Sequence, residues 1–304
     1  MPSSPNSLLK KLGFSANDRV VILHADDIGM CHATLGAHAE LDALGTISSA
    51  AVMVPCPWFL GTVEYARNHP QSDLGIHLTL NSEWSTYRWG PLSTRDRNSS
   101  LVDEQGYFYT KHEQPQSISQ VEDVKQELVA QIQHALQAGM QPSHVDTHML
   151  TLIHPRFLRI YLETAYQFGL PAMIARYSHE GWQQKGFSEP EAQELAAIVQ
   201  EFEEQGYPML DSYGGLKLLQ ATERMQQAQL ALAALPAGIH HFYIHPSLNT
   251  PEAQAISPDW QARAADYETF CTPEMKAFLQ KEGLQLIGYR EVMACMPAGS
   301  AISE

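Results

Sequence analysis

The stretch that decides the fold is VVILHADDIGMCHA, residues 20–33. It begins with four consecutive aliphatic residues, and such a run suits a strand that is buried on both faces, as in a parallel sheet. The strand ends in two adjacent carboxylates, Asp26 and Asp27, which are costly to desolvate unless a positive group compensates them. We therefore interpret this pair as one part of a metal site whose other residues must come from elsewhere in the chain.

The composition of the 304 residues is that of a folded, acidic protein. Hydrophobic residues make up 44%, enough for a large core, and the length fits one α/β barrel or two ordinary domains. Asp and Glu number 34 against 19 Lys and Arg, and the resulting net charge of -15 repels nucleic acid and anionic lipid. We therefore expect neither a nucleic-acid partner nor a membrane partner.

The cysteines and the hydropathy pattern bear on the compartment. The four cysteines are far apart in the sequence and form no CxxC pair, which fits a reducing environment. The N-terminal residues lack a signal-peptide pattern, and no stretch reaches the ~18 consecutive apolar residues of a transmembrane helix. These features predict a cytoplasmic location.

Strand and helix patterns alternate about eight times along the chain, without a break in composition. Repeated βα units imply a parallel sheet, and eight of them can close into a barrel. We predict a single-domain α/β protein with a distorted, TIM-like (β/α) barrel over residues 19–304, preceded by an N-terminal extension of residues 1–18. An open doubly wound sheet remains an alternative because the sixth strand is weak. The predicted strands are residues 19–25, 46–55, 73–80, 143–148, 170–176, 208–212, 238–247 and 284–291.

Residues 81–118 form a long polar connection that is rich in aromatic side chains. A connection of this length inside a compact chain is usually functional, and aromatic faces there would suit the apolar faces of a sugar ring. The alternative is a surface excursion that packs its own aromatic residues.

Ionisable residues follow or occupy several of the predicted strands. In a (β/α) barrel the chemistry lies at the carboxyl ends of the strands, where these residues would meet. Within HVDTH, residues 144–148, period-two alternation places the two histidines and the aspartate on one face. A carboxylate with two imidazoles leaves coordination positions open, as in a catalytic metal site, while a second carboxylate can take a proton from water. The residues collected in this way are Asp26, Asp27, His77, His144, Asp146, His148, Arg176 and His245.

Taken one at a time, these residues have plainer interpretations. An Asp pair at a strand end is more often a helix cap, and a lone His77 is more often a buried structural histidine than a ligand. Arg176 could bind a substrate, pair with Asp26 or form a scaffold salt bridge, and we adopt substrate binding. We interpret His144 as structural or as orienting a neighbouring side chain. Three further histidines are interpreted as packing or surface residues: His24, His240 and His241.

A family resemblance is carried by four motifs in order: HADDIGMCHATLGAHAELDALGTISSAAVMV, GIHLTL, HVDTHM and HFYIHPS. The chain resembles the YdjC-like carbohydrate deacetylase family from about residue 19 to residue 291. The resemblance implies a distorted barrel with one divalent ion, Mg²⁺ or Zn²⁺, held by Asp27, His77 and His148. It further implies that Asp26 is the general base and that His245 is the general acid.

The expected reaction is removal of an acetyl group from an N-acetylated sugar or oligosaccharide by metal-activated water. Members of the best-known type continue the fourth strand with further histidines, where this chain has Met149, Leu150 and Leu152, so their chitooligosaccharide specificity is not implied. Two alternatives remain, namely a barrel hydrolase of another amide or phosphoester, and a carbohydrate-binding relative without turnover. Family members are often dimeric, so a homodimer is one expected assembly.

Overall fold

Seven parallel strands form one curled sheet within residues 6–297, the part of the chain that this computed structural model describes. The order along the sheet is β4-β3-β2-β1-β6-β5, and β7 pairs with β1. Their bounds are β1 (Arg19–Ile28), β2 (Ser49–Val52), β3 (Leu74–Leu78), β4 (Val145–Thr147), β5 (Ser212–Gly215), β6 (Gly238–Ile244) and β7 (Gln285–Leu286).

Strand β1 is the centre of this sheet. It pairs with β6 from Arg19 to Ala25, with β2 from His24 onward, and with β7 at Val20 and Val21. Every residue of β1 after Arg19 is buried. The aliphatic run therefore forms the strand buried on both faces that its composition predicts.

The predicted fifth strand, residues 170–176, is not a regular strand. It forms only isolated parallel bridges, from Ala172 to Val145 and from Ala175 to Leu210. Pro171 has no N–H to donate, which interrupts a regular ladder at this point. The bridges nevertheless continue the curl from β4 towards β5, and β5 itself begins at Ser212, the last residue of the predicted sixth strand. The distorted (β/α) barrel is confirmed, with seven regular strands among the described residues instead of eight.

Helices cover the outside of the sheet. The sequence pattern predicts one helix over residues 216–234 and one over residues 259–281. In the structure the first is shorter and starts at Arg224, and the second is divided into two helices. The second of these begins at Pro273, and the Thr272 side chain caps it by accepting from the Met275 N–H. The bounds are α1 (Ser7–Lys11), α2 (His32–Leu44), α3 (Phe59–Asn68), α4 (Glu113–Ile118), α5 (Val121–Gln137), α6 (Pro155–Gln167), α7 (His179–Gln184), α8 (Glu189–Glu204), α9 (Arg224–Ala233), α10 (Pro251–Ile256), α11 (Trp260–Phe270), α12 (Pro273–Lys281) and α13 (Tyr289–Met293).

The first helix belongs to the same core as the barrel. Leu8 and Leu9 of α1 are buried, and the Asn6 side chain donates to the carbonyl oxygen of Met209 at 2.8 Å. These contacts fix the described end of the predicted N-terminal extension against the barrel. Among residues 6–297, no helix has the length and apolar character needed to cross a membrane.

The barrel interior contains polar rings as well as aliphatic side chains. The His144 imidazole is fully buried and stacks on Tyr289 with ring centroids 3.8 Å apart. The ring also lies against Gly75 of β3, where an added Cβ would be 2.3 Å from the nearest ring atom. Only glycine leaves room for the imidazole at this position.

Substituting Gly75→Ala should therefore destabilise the fold by about 2 kcal/mol, because a buried and hydrogen-bonded ring must shift. Chemical denaturation measures this free energy of unfolding. Gly214→Ala is the matched control, since a Cβ on this glycine of β5 meets nothing within 4 Å. Equal effects of the two substitutions would contradict the packing explanation.

Candidate functional site

The end of β1 is distorted at the two carboxylates. The pairing of β1 with β2 shifts register between Ala25 and Ile28, and Asp27 has a positive φ of 63°. A non-glycine residue in this region is strained, and such strain is concentrated at functional sites. The irregularity lets Asp26 and Asp27 contact different groups.

Asp27, His77 and His148 converge on one point at the mouth of the barrel. Oδ1 of Asp27 lies 3.2 Å from Nε2 of His77 and 3.1 Å from Nδ1 of His148. The two imidazole nitrogens are 3.2 Å apart. All three residues are buried, although they are separated by up to 121 positions in the chain.

The second polar atom of each of these side chains is held by another residue. Oδ2 of Asp27 accepts from Arg263 at 2.7 Å, and Nδ1 of His77 lies 2.7 Å from Asp146. Nε2 of His148 lies 3.1 Å from Glu83. Each side chain is thereby oriented so that one donor atom faces the common point. Carboxylate partners of this kind orient metal-binding histidines.

The donor set fits a divalent ion. Ligand atoms that each lie about 2.1 Å from one ion are about 3.0–3.4 Å apart at octahedral to tetrahedral angles. The triangle of Oδ1, Nε2 and Nδ1 has edges within that range. One carboxylate with two imidazoles suits Zn²⁺ and related ions, and with more waters Mg²⁺.

The surroundings perturb the protonation of the three side chains. Burial opposes ionisation of Asp27, but Arg263 and His148 outweigh it and hold the Asp27 pKa well below its usual value. Burial opposes the charged form of His77, but the charge and hydrogen bond of Asp146 outweigh it and raise the pKa of His77 well above 6.5. For His148, Glu83 and Asp27 outweigh burial and raise the pKa to about 9.

Asp26 lies next to the three converging side chains but is held by other groups. Its Oδ1 is 2.7 Å from Nδ1 of His24, and its Oδ2 is 3.6 Å from Nε2 of His245. Burial alone would raise the Asp26 pKa, but the hydrogen bond with His24 and the nearby imidazoles, among them His77, hold it below the usual value. A carboxylate in this position can accept a proton.

His245 follows the end of β6 and faces Asp26. Its backbone N–H donates to Oδ2 of Asp266 at 2.9 Å, which fixes the start of the segment after the strand. The side chain remains 16% exposed, more than the three converging side chains, so it can meet a bound molecule.

Arg176 is not part of this constellation. Its guanidinium pairs with Glu203 at 2.7 Å and lies 3.9 Å from Asp211. Oδ2 of Asp211 accepts from the backbone N–H of Ile239, the second residue of β6, at 2.9 Å, whereas His245 follows the other end of that strand. The expectation that Arg176 binds substrate is therefore not supported, because its ion pair belongs to the opposite end of the barrel.

A cavity of about 420 Å³ is lined by residues close in the chain to His148 and His245. Its wall includes Met149 and Leu150, which directly follow His148 and both have positive φ, 51° and 55°. Tyr243, two residues before His245, forms part of the other side. Its lining combines apolar faces with hydrogen-bonding groups, as in sites for small polar molecules. The remaining lining residues are His112, Gln116, Ile153, His154, Lys185, Phe187 and Tyr213.

The aromatic residues of the long connection mainly pack on one another. Trp84 and Trp89 are buried and meet edge to face with centroids 5.7 Å apart, and Tyr87 contacts both. Glu83 of the same segment reaches His148. The connection thus forms a wall of the site, while the cavity takes its aromatic faces from Phe187, Tyr213 and Tyr243.

Three residues of the site were missed by sequence reasoning. Arg263 lies in α11 and Glu83 in an irregular segment, and neither has a spacing that points to β1. His24 was interpreted as a packing residue, although it lies two positions before Asp26 on the same face of a strand. That period-two spacing is a signal that could have identified His24.

A second group of donor atoms lies deeper in the barrel. His24, Asp26, Asp146 and His241 offer donors within 4.8 Å of one another. His24 is engaged with Asp26 and with His144, and His241 with the Tyr289 hydroxyl at 2.9 Å. Asp146 is engaged with His77, so within this group His24 bonds to Asp26 while Asp146 and His241 bond to residues outside it. The atoms of the first group instead face a common point.

The curled parallel sheet and the Asp–His–His cluster at its carboxyl end place the protein among (β/α) barrel proteins with a candidate metal centre. Within that class, residues 20–281 match the family model for YdjC-like protein. The chain belongs to the YdjC-like family, and the resemblance carried by its motifs is confirmed.

Curated relatives and a solved structure agree with this placement. A carbohydrate deacetylase of Thermus thermophilus is 37% identical over 272 residues, covering 90% of this chain and 93% of the relative. A carbohydrate deacetylase of Enterococcus faecalis is 26% identical over 280 residues, 91% of this chain and 99% of the relative. A crystal structure from E. faecalis V583, described as a candidate cellobiose-phosphate cleavage protein, shares the fold at a TM-score of 0.71 and 22% identity, over 90% of this chain and 99% of that one.

Removing the cation beside Asp27 tests the electrostatics of the cluster. Arg263→Met leaves a buried carboxylate without its guanidinium, so the metal-free protein, kept with chelator, should lose about 3 kcal/mol of unfolding free energy. The control Arg159→Met removes the exposed ion pair with Glu201 and should cost less than about 1 kcal/mol. Comparable losses in denaturation experiments would contradict the assigned role of Arg263.

Proposed function

We propose that the protein is a metal-dependent carbohydrate deacetylase that removes an acetyl group from an N-acetylated sugar. The observation that carries the proposal is the triangle of donor atoms from Asp27, His77 and His148, with Asp26 beside it as a separately held carboxylate. The names of the curated relatives support the acetylated-sugar class of substrate.

Asp27, His77 and His148 would hold the ion. When bound, the ion would lower the pKa of a coordinated water and polarise the acetyl carbonyl. Asp26 accepts a proton from the attacking water through Oδ2, the oxygen that His24 does not engage. His245 donates a proton to the departing amine, since its Nε2 faces the same region from the end of β6.

The sugar would occupy the 420 Å³ cavity beside His148. Tyr213, Tyr243 and Phe187 offer apolar faces to a ring, and the histidines, Gln116 and Lys185 offer polar contacts to hydroxyls. Met149 and Leu150 fill positions that are histidines in the best-known relatives, which favours a sugar other than a chitooligosaccharide. The dispersed free cysteines suit a cytoplasmic enzyme.

The deacetylase proposal is tested by measuring acetate release from a panel of N-acetylated mono- and disaccharides, with and without chelator. We expect release from at least one sugar and loss of release on chelation. A protein that binds a sugar of the panel without releasing acetate would instead be a non-catalytic relative. A hydrolase that uses two ions would also bind one at the deeper donor group. The donors of that group are already hydrogen-bonded to neighbouring residues, so we expect one bound ion per chain.

Substituting Asp26→Asn should reduce turnover by at least about a thousandfold, because an amide cannot accept the proton. The bound metal should remain, since Asp26 is outside the donor triangle. Acetate release and elemental analysis measure the two effects separately. Loss of the metal in this variant would refute the division of roles between Asp26 and Asp27.

Metal binding should release protons and strengthen with rising pH. In the metal-free protein the pKa of His148 is raised to about 9 and that of His77 lies well above 6.5, so both carry an extra proton near neutral pH. The ion must displace these protons, and its apparent affinity should therefore rise until the pH exceeds about 9. Titration calorimetry in buffers of different ionisation enthalpy counts the released protons.

The variants His77→Ala and His148→Ala should lose the metal. The control His134→Ala, which removes an exposed histidine of α5, should retain it. Metal affinity that does not change with pH, or full metal content in either ligand variant, would count against the donor triangle.

A further inference from the structure

A continuous chain of hydrogen bonds crosses the barrel interior from Asp26. His24 lies 2.7 Å from Asp26 through Nδ1 and 2.9 Å from Nε2 of His144 through its own Nε2. Nδ1 of His144 lies 2.9 Å from the Ser143 hydroxyl, which donates to Oδ1 of Asp73 at 2.6 Å. His24, His144 and Ser143 are buried, so water cannot replace the contacts between them.

The four contacts need four hydrogens, one between each pair of atoms. Two neutral imidazoles and one hydroxyl bring three, and two carboxylates bring none. One additional proton must therefore lie in the chain. The atom that carries this proton depends on the direction of each hydrogen bond, and therefore on which ring nitrogens of the two histidines are protonated.

Asp73 sets that direction. Besides Ser143, its carboxylate accepts from the Ser49 hydroxyl at 2.8 Å and from the backbone N–H of Arg290 at 2.7 Å. Three donors directed at one carboxylate leave it as an acceptor only. The Ser143 hydrogen is therefore given to Asp73, and Ser143 accepts from Nδ1–H of His144.

The direction then propagates to His24. Burial and the neighbouring His24 and His241 hold the pKa of His144 well below its usual value, so this ring is neutral and its Nε2 accepts. His24 must donate from Nε2. Since Nδ1 of His24 also lies within hydrogen-bond distance of a carboxylate oxygen, the additional proton belongs on that nitrogen.

The groups around His24 can stabilise a positive charge on its ring. The His24 ring faces Asp26, and its Nε2 is 3.8 Å from the Asp146 carboxylate. The other groups packed on it are His144, Tyr289 and His241. Burial holds the pKa of the His241 ring well below its usual value, so it adds no competing charge.

We infer that Asp73, at the amino end of β3, is a positioning residue for Asp26 on the opposite side of the barrel. Through Ser143 and His144 it makes His24 a doubly protonated imidazolium that donates Nδ1–H to Oδ1 of Asp26. A charge-assisted hydrogen bond of this kind holds the carboxylate more firmly than a neutral one. Oδ2 is thereby directed at the reacting water, and this consequence rests on the proposed deacetylase function.

Nitrogen NMR of the zinc-loaded, ¹⁵N-histidine-labelled full chain tests the tautomers directly. The signals of the two rings are assigned with His24→Gln and His144→Gln, because each variant lacks the signals of the substituted histidine. We expect hydrogens on both nitrogens of His24 and only on Nδ1 of His144. A neutral His24 with its hydrogen on Nδ1, together with His144 carrying its hydrogen on Nε2, would overturn the inference.

Ser143→Ala removes the link between Asp73 and His144. The His144 hydrogen should then move to Nε2, and His24 should become a neutral ring with one hydrogen on Nδ1. Because Asp26 would lose its cationic donor, we expect kcat to fall about tenfold while KM and metal content stay unchanged. Ser49→Ala is the matched control, since Ser49 donates to the same oxygen of Asp73 but lies outside the chain, and it should change neither the tautomers nor kcat.

The outcomes separate this inference from the proposed function. If no sugar releases acetate but the tautomers are as stated, the deacetylase proposal fails and the hydrogen-bond chain stands. If acetate is released and Ser143→Ala behaves like Ser49→Ala in both the spectra and kcat, the positioning role of Asp73 fails.

Discussion

The structure depends on the compensation of buried carboxylates at the mouth of the barrel. Asp26, Asp27 and Asp146 are close together and almost inaccessible to water, and an uncompensated carboxylate there would be prohibitively costly. Arg263 and the imidazoles around the cluster provide the compensation. Each of these contacts also fixes the orientation of a side chain. The groups that compensate the buried carboxylates are therefore the same groups that direct the donor atoms of Asp27 and His77 towards the common point.

The fold delivers these groups from distant parts of the chain through simple geometry. Parallel strands place their carboxyl ends at one edge of the sheet, so β1, β3 and β4 bring Asp27, His77 and His148 within hydrogen-bond distance. The irregular end of β1 adds a local effect, because the positive φ of Asp27 separates its side chain from that of Asp26. The strained residue is held by its contact with the guanidinium of Arg263.

The features that follow from local pattern could be predicted from the sequence. The aliphatic run of β1, the period-two HVDTH motif and the family motifs predict a barrel and a cluster of Asp27, His77 and His148, whose role as ligands stays a prediction. Arg263 could not be predicted, because a helix 236 positions away meets Asp27 only after the tertiary fold forms. The pairing of Arg176 with Glu203 could not be predicted either, because proximity to a strand end does not reveal which partner a long side chain reaches.

The turn after His148 has a consequence for how this family can diversify. Met149 and Leu150 adopt left-handed backbone conformations directly after a candidate ligand, and both line the cavity. A replacement that reshapes the cavity also changes a strained backbone segment that directly follows His148. Under the proposed function, a change in substrate preference is therefore expected to alter ion affinity and to require compensating changes elsewhere.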